Sequence, residues 1–251
     1  GSVTGSAYDI GGLIGYNEAG GQVTGCYSAG SVLASSAQRV GGLIGFNSYS
    51  ALSESCSTST VVGGNNYIAG LVGSNFNSTI ARCFATGNVT GGTDVGGLVG
   101  QNLGSGKITD SYATGQVMVS NTYANIGGLV GYNAGTGTEI TNSYAIGQVT
   151  GGEATLKGGL VGNRDFKDIV TNSYWDTITS GQVNSAAGSG KTTAEMKAQT
   201  TFIDWDSGTI WGINSVDNEG YPFLRWQGYE HIPDVATKPV TGVSLNKSSL
   251  E

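Results

Sequence analysis

Apolar residues in this chain come in short bursts broken by glycine, and the bursts recur. Gly11-Gly-Leu-Ile-Gly-Tyr-Asn17 returns from Gly41, Ala69, Gly96 and Gly127, and once more in altered form as Gly158-Gly-Leu-Val-Gly-Asn-Arg164. The steps between first residues are 30, 28, 27, 31 and 31. A second phrase accompanies each copy, for example Ile108-Thr-Asp-Ser-Tyr-Ala-Thr-Gly-Gln-Val117 and Ile140-Thr-Asn-Ser-Tyr-Ala-Ile-Gly-Gln-Val149. These are short alternating segments bounded by turn residues, which read as strands. No helical period appears before residue 190. A period near 30 marks units that cannot bury an apolar face alone and stack on their neighbours. The pattern therefore predicts an all-β parallel β-solenoid of six repeats, about 30 Å long at one strand spacing per repeat. The crossover rule favours a right-handed coil.

Parity assigns faces within that frame. Leu13, Leu43, Leu71, Leu98, Leu129 and Leu160 form the expected core column. The following Ile or Val takes the other face, so the strand is expected to be buried on both. In the second phrase Ile108 and Tyr112, Ile140 and Tyr144, and Val170 and Tyr174 are expected to share the core face, with Thr109, Ser111 and their equivalents outside. The variable sixth position (Tyr16, Phe46, Ser74, Gln101, Tyr132, Asn163) is placed outside. Asn17, Asn47, Asn75, Asn102 and Asn133 would stack as an amide ladder that also bonds turn backbone.

After Tyr174 the texture changes. All four Trp (Trp175, Trp205, Trp211, Trp226) and all three Pro lie beyond it. Thr192-Thr-Ala-Glu195 is a capping box opening a short helix to about Ala198. A solenoid end exposes core and strand edges, so 176–230 is read as a Trp-rich C-terminal cap. Residues 231–239 read as a linker. The chain opens partway through a repeat, which suggests an excised piece of something longer.

With 44 Gly and 12% charged residues but 38% hydrophobic ones, this is no disordered polar chain. A net charge of −7 argues against nucleic acid, because no basic stripe neutralises phosphates. No run of about 18 apolar residues is present, so no membrane insertion is expected. Cys26 and Cys83 share a column two repeats apart with Ser55 between them, about 9–10 Å by strand spacing and too far for a disulfide. Cys56 lies in the neighbouring column and should point to the other face.

The Gly-Gly-Leu-Val-Gly-x-Asn phrase, paired with Asn-Ser-Tyr-Ala-x-Gly-x-Val, resembles the GLUG repeat of bacterial secreted and cell-surface proteins. The resemblance covers about 1–175, and the sixth copy departs from it at Arg164. Asn172-Ser-Tyr-Trp-Asp176 through Tyr221-Pro-Phe-Leu224 is similar to the segment that closes such repeats. Val240-Thr-Gly-Val-Ser-Leu-Asn-Lys-Ser-Ser-Leu250 resembles the start of a bacterial Ig-like domain, cut off at 251. Relatives include adhesins, filamentous exoproteins and accessory regions of immunoglobulin A peptidases. The resemblance implies an extracellular stalk or adhesion module on a bacterial surface, joined to other domains of one larger chain. Its partner would be a host or neighbouring-cell glycan or a matrix protein, and it carries no catalytic residues to transfer.

The search for chemistry agrees with that expectation. The sole histidine, His231, falls in the linker, so a His-based triad or metal site is not expected, nor is any cofactor. Two alternatives remain. One is a carbohydrate-binding module using Trp205 and Trp211. The other is a β-helix polysaccharide lyase or hydrolase using Asp165 and Asp168, for which local ion pairing with Arg164 and Lys167 is the plainer account. Regular Thr columns raise ice binding, but the early repeats break the pattern. As possible ligand contacts the sequence offers Tyr16, Phe46, Tyr132, Asp165, Asp168, Trp205 and Trp211. It also offers the loops at 48–51, 76–79, 103–107 and 134–139, because loops on a rigid scaffold are where contacts diversify.

Overall fold

The computed structural model describes residues 1–119, 123–152, 156–165 and 167–228; the linker at 231–239 and the Ig-like start at 240–251 lie outside them. The described residues form a parallel β-solenoid of six rungs with five strand positions per rung. In the second rung these are Ser31–Ala34, Arg39–Gly41, Ile44–Ser48, Ala51–Ser53 and Cys56–Ser57. They belong in turn to sheets A, B, C, D and E. Each strand pairs in parallel with its copy one rung away, so Val40 lies beside Ile68 and Ile10, and Asn47 beside Asn75 and Asn17. Sheet E gains a seventh strand, Ser189–Lys191.

Two apolar cores run along the axis. One lies within sheets C, D and E and holds Leu43, Ile44, Leu52, Cys83 and Ala85 with their equivalents. The other lies between sheets A and B, around Val32, Val40, Val61 and Ile68. Glycine lets the rung pinch between them. A Cβ on Gly70 would sit 2.9 Å from the Ala85 methyl and 2.3 Å from the Gly97 carbonyl oxygen. One on Gly73 would sit 2.7 Å from the Val40 amide nitrogen. No side chain fits at these two positions, which accounts for the second Gly of the pair and the later Gly of the phrase, whereas the first position of the pair admits Ala69.

The Leu column is buried from Leu43 to Leu160, while Leu13 on the first rung is 52% exposed. Leu and the following Ile or Val do not take opposite faces. Leu43 occupies the bend ahead of the Ile44–Ser48 strand, so both side chains enter the same core.

A second correction concerns the aromatic column. Ile108 is in the C–D–E core, but Tyr112 is not; it lies outside with Phe84, Tyr144 and Tyr174. Parity fails because the second phrase is two strands joined by a corner. Gly25, Glu54, Arg82, Asp110, Asn142 and Asn172 hold that corner with φ between 45° and 64°, the left-handed region that turns the chain sharply.

The next residue then points inward. Ser111 is fully buried rather than outside. Its hydroxyl donates to the Thr109 carbonyl at 2.7 Å and accepts from the Cys83 amide at 3.1 Å. Ser55, Ser143 and Ser173 repeat both bonds rung by rung. A small hydroxyl at this corner supplies bonds that the turning backbone lacks. Cys83 fills the same position, and burial pushes its thiol up to about 12. Cys56, one position on, faces the aromatic side.

The Asn amides form a continuous chain. Asn17 donates through Nδ2 to Asn47 Oδ1 at 2.8 Å, Asn47 to Asn75 at 2.9 Å, Asn75 to Asn102 at 2.9 Å and Asn102 to Asn133 at 2.8 Å. Asn75 and Asn102 also donate to the turn carbonyls of Ser78 and Gly106. Asn133 donates to Asp168, which ion-pairs at 2.9 Å with Arg164. Arg164 stands where a sixth Asn would be, and the carboxylate supplies the final acceptor.

The C-terminal segment does two things. Residues 177–191 lie across the last rung, where Ser180 accepts the Val149 amide, Asn184 the Gly159 amide, and Ser185 Oγ the Leu160 and Val161 amides. Trp175 seals the core there, its indole donating to the Gln182 carbonyl. Residues 192–228 then fold back along the flank, beginning with the Thr193–Met196 helix and its Thr192–Glu195 capping box. They cover the outer aromatic column. Phe84, Tyr112 and Tyr144 stack nearly parallel at 5.1 and 4.9 Å, and Phe202, Trp205, Trp211, Tyr221 and Leu224 bury them. Three indoles hook onto the left-handed corners: Trp226 to the Arg82 carbonyl, Trp211 to Asp110 Oδ1 and Trp205 to the Asn172 carbonyl.

Candidate binding face

Sheets B and C share an outer surface. The residue two places before each copy of the first phrase (Asp9, Arg39, Tyr67, Asp94, Asn125, Leu156) forms one column by register. The sixth position of the phrase (Tyr16, Phe46, Ser74, Gln101, Tyr132, Asn163) forms the next. The two columns are offset by seven residues in every rung. Their contact is direct in rung two, where the Arg39 guanidinium lies 3.9 Å from the Phe46 ring centre.

Along this face the chemistry changes. On rungs one and two Tyr16 and Phe46 stack at 5.0 Å, and Arg39 pairs with Asp9. These groups use one another's faces and charges. On rungs three to five the surface is polar and recessed. Ser74, Asp94 and Gln101 are 3%, 5% and 8% exposed, between the half-buried Tyr67 and Tyr132. Asp94 accepts one bond, from Asn125 Nδ2 at 2.7 Å. Burial pushes its carboxyl up to about 6, against the pull of that bond. Among the described residues the Ser74 hydroxyl and the Gln101 amide find no hydrogen-bond partner, yet neither is shut away from the surface.

The loops on the C–D side contrast with this. Ser78 Oγ donates to the Phe76 carbonyl, Asn77 Oδ1 accepts from the Ser105 amide and hydroxyl, and the ladder amides take the turn carbonyls. Their polar groups serve the turns.

Of the candidate contacts read from the sequence, Tyr16, Phe46 and Tyr132 all fall on the shared B–C face. Asp168 ends the amide ladder beside Arg164, and Asp165 is half-buried with its amide on the Asn133 carbonyl. Trp205 and Trp211, on the inner side of the flank segment, are 4% and 2% exposed, so neither offers a free ring face. Sequence reasoning missed Tyr67, Asp94 and Asn125. The fixed seven-residue offset to the sixth position was the available signal. The sixth position itself was read as simply outside, although Ser74 and Gln101 are more than nine-tenths buried.

A glycine-pinched solenoid of six near-identical rungs defines a repeat protein whose variable chemistry sits on its outer columns. More particularly, the GLUG motif matches residues 6–33, 64–90, 91–118 and 122–150. Rungs outside these matches keep the same strand register. Over 115 residues the chain is 35% identical to a "putative Gly-rich membrane protein" of Evansella cellulosilytica, a match covering 44% of this chain and 13% of the relative. The fold is similar to the crystal structure of a "putative immunoglobulin A1 protease" from Bacteroides ovatus, with a TM-score of 0.54 and 17% identity over 87% of this chain and 76% of that one. No helix among the described residues is long and apolar enough to cross a membrane.

Proposed function

We propose that this chain is a non-catalytic module of a bacterial cell-surface protein, serving as a rigid scaffold for adhesion. The observation that carries this reading is how the recurring polar side chains are used. The Asn ladder and the Ser corner column bond successive rungs to one another, which stiffens a rod. On the outer columns of sheets B and C the side chains vary from rung to rung, as a scaffold that presents contacts requires. The GLUG motif and the similarity to a protein named as a membrane protein support placement at the cell surface. Its partners would be a glycan or matrix protein of a host or neighbouring cell.

Antibodies raised against this chain should label intact cells displaying the parent protein, and surface proteolysis should remove the signal. Labelling only after lysis would overturn the placement. The purified chain should leave acidic polysaccharides uncleaved; turnover abolished by Asp165→Asn or Asp168→Asn would replace the scaffold with an enzyme.

A further inference from the structure

We propose that the recessed patch of Ser74, Asp94 and Gln101, flanked by Tyr67 and Tyr132, is a binding site for a neutral, hydroxyl-rich saccharide. The inference deepens the scaffold reading and rests on it. Three polar side chains, each more than nine-tenths buried, sit side by side on rungs three and four. Among the described residues the Ser74 and Gln101 side chains hydrogen-bond to nothing, and the Asp94 carboxylate accepts only the Asn125 side-chain amide. Native proteins engage nearly all such groups, so polar atoms held at a surface without partners are placed for an outside one.

The types of group available select the ligand. A carboxylate accepts from hydroxyl donors, and such charge-assisted bonds are the stronger ones. A primary amide and a hydroxyl both donate and accept, as vicinal sugar hydroxyls do. Tyr67 and Tyr132 stand two rungs apart along the axis, about 10 Å at one strand spacing per rung. Among the described residues neither ring is stacked on another aromatic, unlike Tyr16 on Phe46. Their apolar faces suit the C–H side of a sugar ring lying between them. Anionic ligands meet the Asp94 carboxylate and a chain of net charge −7. An extended peptide would need a free strand edge, whereas this is the face of a sheet paired on both sides. Among the described residues no cluster of His, Cys, Asp or Glu could hold a metal ion.

The test uses the purified chain with a panel of neutral di- to tetrasaccharides (gluco-, manno-, xylo- and chito-oligosaccharides), with oligogalacturonate as the acidic control. Calorimetry would measure affinity, and circular dichroism would confirm the fold of each variant. At least one neutral oligosaccharide should bind saturably. Gln101→Ala and Asp94→Asn should each weaken it about tenfold or more, the scale of one lost hydrogen bond to a ligand. Tyr132→Ala should weaken it too, while Tyr49→Ala and Asn77→Ala in the loops should leave it within about twofold. Binding unaffected by Gln101→Ala and Asp94→Asn would overturn this site and leave the adhesion scaffold standing. So would capture of a matrix protein with no saccharide bound. A folded chain that binds no neutral saccharide overturns the inference outright, and cell-surface labelling then judges the scaffold independently.

Discussion

Asp94 and Asn102 are both buried polar residues, and their surroundings give them opposite energetic roles. Burial raises the Asp94 carboxyl to about 6, above its value near 4 in an unfolded chain. The fold therefore favours the neutral acid. That contribution is fully present below about pH 4 and is lost as pH rises through about 6, a swing of about 2–3 kcal/mol. Asp94→Asn keeps an acceptor for Asn125 and removes the charge. The variant should melt higher than the native chain at pH 7, and the gap should close by pH 4 in paired thermal scans. Asn102 behaves differently. Truncation to Ala leaves Asn133 Oδ1 without its donor, takes one of two donors from the Gly106 carbonyl, which keeps the Glu139 amide, and takes one of two acceptors from Asn75. With one stranded acceptor at about 1–3 kcal/mol and two weakened neighbours, Asn102→Ala should cost about 2–4 kcal/mol in urea unfolding. Asn17→Ala, at the edge of the ladder, should cost about 1 kcal/mol.

At the scale of the element, what the sequence conceals is the corner. Strand existence, repeat length, the Leu column and the Asn ladder were legible because each is a periodic side-chain signal with one structural solution. The D–E corner was not, because its left-handed position is held by Gly25, Glu54, Arg82, Asp110, Asn142 and Asn172, a column too mixed to read as a turn. Without the corner, counting by twos carries Tyr112 into the core and Ser111 out of it; one left-handed residue exchanges them. The Trp-rich segment reads in the sequence as a cap on the solenoid end, and nothing local says that Trp226 reaches back along the flank to Arg82, 144 residues away. The proposed binding face is half visible in the sequence. Its aromatic members stand out as exposed bulk in a repeat, whereas Ser74 and Gln101 gain meaning only from neighbours contributed by a second sheet.

The flank segment also protects a thiol. Cys56 is 7% exposed and shares a cluster with Phe84 and the flank aromatics. Trp226 lies over Phe84 at 5.6 Å between ring centres. Trp226→Ala should therefore make Cys56 react several-fold faster with a thiol reagent, while Cys83, buried in the main core, stays inert in the folded state. Labelled peptides would separate the two.

At the scale of the molecule, each rung touches mainly its neighbours, so stability is a sum of rung and interface contributions. Glycine makes that sum intolerant of small insertions into the pinch. A Cβ at Gly73 meets backbone atoms of sheets B and C at 2.6–2.7 Å, and neither sheet can withdraw without breaking its ladder. Gly73→Ala should lose at least about 2–3 kcal/mol, at the upper end for overpacking. A Cβ at Gly25 has open space but a φ of 64°, so Gly25→Ala should cost about 1 kcal/mol. Melting temperatures of the two variants would order them.

The amide ladder has a direction. Every Asn donates toward the C-terminal end, and each one after Asn17 accepts from the N-terminal side, so each rung is a plug on one side and a socket on the other. Any rung can then follow any other, and only Asp168, with Arg164 beside it, closes the series. A gene encoding this fold can grow or shrink by whole repeats without rewriting the joints, provided that it keeps the one closing rung. Surface length, and with it the reach of whatever the outer columns hold, becomes a quantity that unequal recombination can set in steps of one strand spacing.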